Sequence, residues 1–300
     1  MKFVTRFAPS PTGLLHVGNA YSALQCARWA ARNHADLLLR IEDIDHTRCQ
    51  SHFSDAILED LNWLGIGWNQ PVRKQSEHLA LYQQALNTLQ SRGMIYPCFC
   101  TRKAILNERS RMGVAPHQSD SATHYPGTCR NITTLEQKRR MQHEPFAWRL
   151  NIAKAVKSCQ SAPSYHDQNG AIYQTALAHD IIIGRKDIGY SYHLAVVMDD
   201  ALQGVTHVIR GEDLHSSSAI HRLLQMLLDL PEPIYIHHHL LKNSDGERLA
   251  KRIDSTTLRS LRYMGVDAAQ LRNYLLDQSH NAIWPFVVGD EAAIVAKLAI

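Results

Sequence analysis

Apolar and polar residues follow two different periods along the first 95 residues. Residues 3–7, Phe-Val-Thr-Arg-Phe, read as a short strand. Residues 9–13 form a rigid loop, because Pro9 and Pro11 restrict φ and Gly13 permits an unusual turn. Residues 17–33 place Ala20, Leu24, Ala27 and Ala31 near helical spacing. Residues 37–41 are apolar except for Arg40, a run that suits a buried parallel strand. Residues 55–64 read as helix, broken by Gly65-Ile66-Gly67, and residues 78–90 as another, ended by Gly93. Alternating strand and helix predicts a parallel sheet covered by helices.

The texture changes over residues 96–187, which hold four of the six cysteines, few long apolar periods and several Pro and Gly. This segment reads as an inserted subdomain between two halves of a Rossmann-type α/β domain, residues 1–95 and 188–242, with helices on both faces of its sheet. In the second half, residues 193–198 read as a strand ending in Asp199-Asp200. Residues 205–209 read as a strand ending in Arg210-Gly211-Glu212-Asp213, and residues 216–228 as a helix with Ser N-caps. Residues 234–241 are a further strand. Residues 243–300 read as a loop and a short helical C-terminal region.

Composition changes this picture little. The apolar share is 45%, the charged share 20% and the formal charge +4, ordinary for a globular protein and only compatible with a polyanionic partner. No apolar stretch approaches a membrane span, and residues 1–7 do not look like a secretory signal. The cysteines are not spaced as a secreted disulfide framework, so the expected compartment is the reducing cytoplasm. The expected oligomeric state is a monomer.

Candidate chemistry begins at His16-Val17-Gly18-Asn19, between the proline loop and a helix. A helix start offers unpaired N–H groups and a positive dipole end, a natural phosphate seat. Alone, this tetrapeptide is equally an ordinary loop-to-helix turn. With its neighbours, from Arg6-Phe7-Ala8-Pro9-Ser10-Pro11-Thr12-Gly13 to Leu15-His16-Val17-Gly18-Asn19, it resembles the ATP-site signature of glutamyl-type class I aminoacyl-tRNA synthetases. Three more blocks resemble that family in order: Arg40-Ile41-Glu42-Asp43-Ile44-Asp45, residues 192–200, and residues 208–214. The resemblance implies that Pro9, His16, Gly18 and Asn19 bind ATP, with His16 and Asn19 catalytic. It implies that Arg6, Ser10, Glu42, Tyr192 and Arg210 bind L-glutamate. Arg suits carboxylates and Glu42 an α-ammonium. Pro9-Ser10-Pro11 matches the glutamyl side of the family, not the Pro-Glu-Pro of glutaminyl enzymes.

The family's mobile Lys-Met-Ser-Lys-Ser loop has its counterpart in Arg248-Leu249-Ala250-Lys251-Arg252. Lys251 matches the second lysine and is expected to be catalytic. Arg248 and Leu249 complete the ATP contacts, and Ala250 removes a hydroxyl. Mg²⁺ is expected with ATP. In the inserted segment, Cys98, Cys100 and Cys129 suggest one structural Zn²⁺, against the plain reading of free thiols. Position alone offers His117 or His124 as the fourth ligand, with Cys159 a distant third; the resemblance points to Tyr125 instead. Basic clusters at residues 138–140 and 248–262 suit phosphates or solvated helix faces equally well.

About 45 residues follow Arg252, fewer than the helical anticodon-binding region of a full glutamyl enzyme. The chain therefore resembles the short paralogue family, the glutamyl-queuosine tRNA(Asp) synthetases. That resemblance implies transfer of glutamate to the queuosine base at the wobble position of tRNA(Asp). Two alternatives are a truncated glutamyl enzyme charging the tRNA 3′ end and a non-catalytic tRNA-binding paralogue.

Overall fold

The computed structural model describes residues 2–101, 103–105, 125–174, 177–242, 256–277, 284 and 294. The chain begins β1 (Val4–Phe7), α1 (Val17–Arg32), β2 (Asp36–Ile41), α2 (Ser51–Trp63), β3 (Asn69–Lys74) and α3 (Leu79–Ser91). β1 pairs parallel with β2, and β2 with β3. After β4 (Ile95–Cys98) come α4 (Thr134–Met141), β5 (Ala147–Leu150), α5 (Ile152–Ser158), β6 (Ser164–His166), β7 (Ile172–Gln174) and β8 (Ile181–Gly184). β4, β5 and β8 make a separate antiparallel sheet, and β6 and β7 a hairpin. The chain then returns as α6 (Tyr192–Leu202), β9 (His207–Gly211), α7 (His215–Leu227) and β10 (Ile234–His238). β9 and β10 pair parallel. Thr206 joins this pair to β1, its N–H donating to the Val4 carbonyl at 2.9 Å. The parallel strands thus lie in the order β3-β2-β1-β9-β10.

Apolar periodicity explains most of this arrangement. α1 buries Val17, Ala20, Leu24 and Ala30 against Phe7, Leu39 and Ile41 of the strands and against Ile57 and Leu61 of α2. The last helices, α8 (Leu258–Tyr263) and α9 (Ala268–Asp277), add Leu258, Leu261, Leu271 and Leu275 to the same core.

Two elements differ from the sequence reading. Residues 193–198 are not a strand but part of α6, capped by Ser191, whose Oγ accepts from the Leu194 N–H. Leu194, Ala195, Val196 and Val197 are all buried, so the run carries neither a period of two nor one of 3.6. A short, wholly apolar segment does not separate strand from helix. β3 gives no strand signal in the sequence, because Asn-Gln-Pro-Val-Arg-Lys has no apolar alternation and is mostly exposed. It is an edge strand of the sheet, where Pro71 is tolerated.

Candidate active site

In a parallel sheet the strands all end at one edge, and ligands bind there. β1, β9 and β10 end at a cavity of about 750 Å³, walled by the loop after β1, the start of α1, Glu42 after β2, and the segments after β9 and β10. Arg6, Pro9, Ser10, His16, Gly18, Asn19, Glu42, Tyr192 and Arg210 all line it. The structure therefore brings together every described residue of the two expected ligand sites. Arg248, Leu249 and Lys251 lie outside the described residues. The flanks of that segment are described and reach the cavity: Leu241 lines it, and the Thr256 carbonyl accepts from the N–H of Val17, next to His16, at 3.2 Å.

Beneath the cavity floor is a buried charge network. Asp200 Oδ1 accepts from Arg6 Nε at 3.0 Å and from Arg40 Nη1 at 2.7 Å. Arg40 Nη2 donates to Glu42 Oε1 at 3.1 Å. Asp199 accepts from Arg73, Gln75 and Tyr82, each at 2.8 Å. Burial alone would lower the pKa of Arg40, but Asp200, Glu42 and Asp199 outweigh it, and the net shift is upward. Burial raises the Asp200 carboxyl, yet Arg6 and Arg40 bring it below the ordinary range. Glu42 comes out the other way: burial wins over Arg40 and Arg6, so its pKa is raised. Sequence reasoning did not assign Arg73, Gln75, Asp199 or Asp200 to the site. The available signal was Arg40, a lone cation in an apolar strand, because a buried charge needs buried partners.

Arg210, at the end of β9, is 4% exposed and differs from the other cations. Nη2 donates to Ser218 Oγ at 2.6 Å and Nη1 to His221 Nδ1 at 3.1 Å. The guanidinium lies 5.0 Å from the Tyr235 ring centroid. Among the described residues no carboxylate lies within ion-pair distance of it. The next residue, Gly211, admits no side chain without displacement: a Cβ would stand 2.6 Å from Asp213 Oδ1 and 2.7 Å from Leu240 Cδ2.

His16 is the N-cap of α1. Its Nδ1 accepts from the Gly18 N–H at 3.0 Å, and its own N–H donates to Asn19 Oδ1 at 3.2 Å. An accepting Nδ1 leaves the ring proton on Nε2 as a donor. The same two bonds hold the first turn of α1 at the cavity wall.

Away from the cavity, Cys98, Cys100 and Cys129 bring their sulfurs within 4.8 Å of one another. Tyr125 OH lies 3.5 Å from Cys98 Sγ and 3.9 Å from Cys100 Sγ, and it accepts from the Cys129 N–H at 2.8 Å. The Cys129 hydrogen bond, more than any other cause, holds the Cys98 thiol below its ordinary range. Three sulfurs around one point, with a phenol oxygen beside them, fit a tetrahedral metal ion: zinc–thiolate bonds of ~2.3 Å require sulfurs just under ~4 Å apart. His117 and His124 lie outside the described residues. Cys26, Cys49 and Cys159 are elsewhere, and the six thiols form no disulfide.

A family model described as tRNA synthetases class I (E and Q), catalytic domain, matches residues 2–280. The chain belongs to this family. Its members are ligases, and the cavity at the carboxyl edge of the parallel strands lies in their catalytic fold. The glutamyl-Q tRNA(Asp) synthetase of Rhodobacter capsulatus is 38% identical over 275 residues, 91% of this chain and 99% of that protein. The glutamate–tRNA ligase of Aquifex aeolicus is 36% identical over 279 residues, 91% of this chain but 56% of that protein. A glutamate tRNA ligase from Elizabethkingia meningosepticum, solved in complex with its amino acid, superposes with a TM-score of 0.68 at 25% identity, covering 88% of this chain and 53% of that one. The glutamate-tRNA synthetase structure from Elizabethkingia anophelis shares the fold at a TM-score of 0.74 and 24% identity, with 92% and 61% covered. The chain spans just over half of these longer ligases. Among the described residues, no helix is long and apolar enough to cross a membrane.

Proposed function

We propose that the chain joins L-glutamate and ATP into glutamyl-adenylate and transfers the glutamate to the queuosine base of tRNA(Asp). The observation that carries the first step is Arg210, a buried guanidinium in the cavity wall with no carboxylate partner among the described residues. A buried, uncompensated cation is costly unless a ligand supplies the anion. Glutamate brings two carboxylates and one ammonium. Arg210 pairs with one carboxylate, Arg6, already paired with Asp200, adds a hydrogen bond to the other, Tyr192 and Ser10 donate to them, and Glu42 takes the ammonium. His16 Nε2–H, Asn19, Gly18 and Pro9 face the nucleotide, and Arg248, Leu249 and Lys251 complete its contacts.

In the reaction, a glutamate carboxylate oxygen forms a bond to the α-phosphorus of ATP while the bond from that phosphorus to the pyrophosphate oxygen breaks. The attacking carboxylate is already ionised, so no side chain has to remove a proton. Catalysis is positioning together with stabilisation of charge building between the phosphates. Mg²⁺ brought with ATP would supply further positive charge against the phosphates. Cys98, Cys100, Cys129 and Tyr125 would hold one structural zinc, which would tie the end of β4 to the turn before α4. Residues 96–187 form an inserted unit, a reading supported by the separate sheet of β4, β5 and β8. A monomer in the reducing cytoplasm suits the free thiols.

The choice of queuosine as acceptor is supported by the match along 99% of the R. capsulatus enzyme. The test offers radiolabelled glutamate to tRNA with and without queuosine. Label is expected only on queuosine-containing tRNA(Asp), at the base. Label at the 3′ end, or independent of queuosine, would instead make the chain a tRNA-charging ligase. Pyrophosphate exchange absent with every amino acid would make it a non-catalytic paralogue.

A further inference from the structure

Arg6 and Arg40 are both neutralised by acids of the protein itself, whereas Arg210 is not. Its partners are Ser218 and His221 of α7 and the ring of Tyr235 on β10. Behind them stand Tyr192 and His193 of α6, His237 of β10 and Tyr165 of β6, each touching one of those three. None of these is an acid.

The hydrogen bonds determine where the ring protons are. A guanidinium has donors only, so His221 Nδ1, 3.1 Å from Arg210 Nη1, must accept. His221 is therefore neutral, with its proton on Nε2. That nitrogen lies 3.1 Å from His193 Nδ1, which must accept in turn. His193 is neutral as well, with its proton on Nε2. Ser218 Oγ accepts from Arg210 Nη2 and also lies 3.0 Å from His237 Nε2. Polarity thus runs one way, from Arg210 through His221 to His193. A second proton on His221 would point a donor at a donor and place two cations 3.1 Å apart.

We propose that His221, supported by His193 and Ser218, is a positioning residue that orients Arg210 through neutral acceptors only, so that its positive charge is left for a carboxylate of the substrate. An acid at the same place would hold the guanidinium equally well but would supply the anion from within the protein. The proposal rests on the assignment of glutamate as substrate, and specifies how the site keeps its affinity for an anion.

The test compares His221→Asn with His221→Asp in the full chain. The two side chains have nearly the same shape, and each places an oxygen near the present Nδ1. They differ in charge. KM and kcat for glutamate are measured by pyrophosphate exchange at saturating ATP. His221→Asn is expected to keep KM within about 5-fold of the parent, and His221→Asp to raise it at least ~30-fold with kcat little changed, the loss of a charge-assisted contact. Equal losses in the two variants would show that His221 only fills space, and would overturn the proposal. A second measurement needs no substrate. Long-range ¹H–¹⁵N spectra of the parent chain at neutral pH are expected to show the Nε2–H form of His221 and of His193. A proton on His221 Nδ1, or a charged ring, would overturn the proposal by itself. A parent chain inactive with glutamate, yet showing both tautomers, would defeat the substrate assignment and leave the neutral shell standing.

Discussion

Glu42 shows how one residue serves both fold and ligand. Its carboxylate accepts from Arg40 beneath the cavity and also lines the cavity. Burial raises its pKa, so its charged form gains from a nearby cation. An ammonium is such a cation. Glu42→Gln keeps the shape and an acceptor oxygen but removes the charge. It is expected to raise KM for glutamate by about 10- to 100-fold, the worth of a charge-assisted hydrogen bond, with KM for ATP little altered. Steady-state exchange kinetics for both substrates check this; a parallel rise in both constants would place Glu42 in the fold alone. Glu42, Arg6, Tyr192 and Arg210 were legible in the sequence because each stands inside a contiguous block. Ser218 and His221 were not, because they lie 8 and 11 residues beyond Arg210 and meet it only through the packing of α7 on β9. A histidine on a helix face gives no sign in sequence of what it will accept from.

At the scale of elements, the dependence of β1 and β2 on α6 is the central relation. Their two arginines would be stranded in the core without Asp199 and Asp200 from α6. Arg6, Arg40 and Arg73 stand against Glu42, Asp199 and Asp200, three charges of each sign, within one connected set of ion pairs. Asp200→Asn removes the anion shared by Arg6 and Arg40. Breaking a buried pair in this way costs about 3–5 kcal/mol, because the remaining charge stays buried. The denaturant midpoint should fall accordingly, and a loss below ~1 kcal/mol would mean that water reaches the network. The same relation explains why the sequence misled at residues 193–198. Adjacent acids project on neighbouring sides of a helix end, and both reach arginines there; in a strand they would point to opposite faces. The apolar pattern carried no information about this, because every face of α6 near its middle is buried. The Arg40 partnership carried it, in a contact 160 residues apart. β1, β2 and α1 were readable because their patterns are local; β3 was not, because an exposed edge strand needs no pattern.

For the molecule as a whole, the neutral histidines around Arg210 set a direction for stability against pH. Burial, reinforced by Arg210, lowers His193 to about 4 and His237 to about 3, and lowers His221 well below its ordinary value. In the unfolded chain each titrates near ~6.5. Above that pH neither state binds the proton, and the rings cost nothing. As pH falls from ~6.5 toward ~4, the unfolded chain takes up protons that the folded chain refuses, so stability is lost by up to ~1.4 kcal/mol per pH unit for each such histidine. Two carboxyls act in the opposite sense. Asp60, raised to about 6 chiefly by burial, and Glu42, also raised by burial, are protonated more readily in the folded chain. They offset part of the loss over the same interval, but the three rings, joined by His207 and His238, which burial also lowers, outweigh two carboxyls, one of them held down by Arg40 and Arg6. The urea midpoint is therefore expected to fall between pH 7 and pH 5, with little change from pH 7 to pH 8. A flat profile, or one that rises into acid, would mean that these rings accept protons in the folded state. They would then be charged beside Arg210, and the cavity wall would repel cations more strongly while no longer orienting the guanidinium. Glutamate binding followed over the same range separates the two cases: the neutral shell predicts that affinity holds until the fold itself gives way, apart from the separate contribution of Glu42.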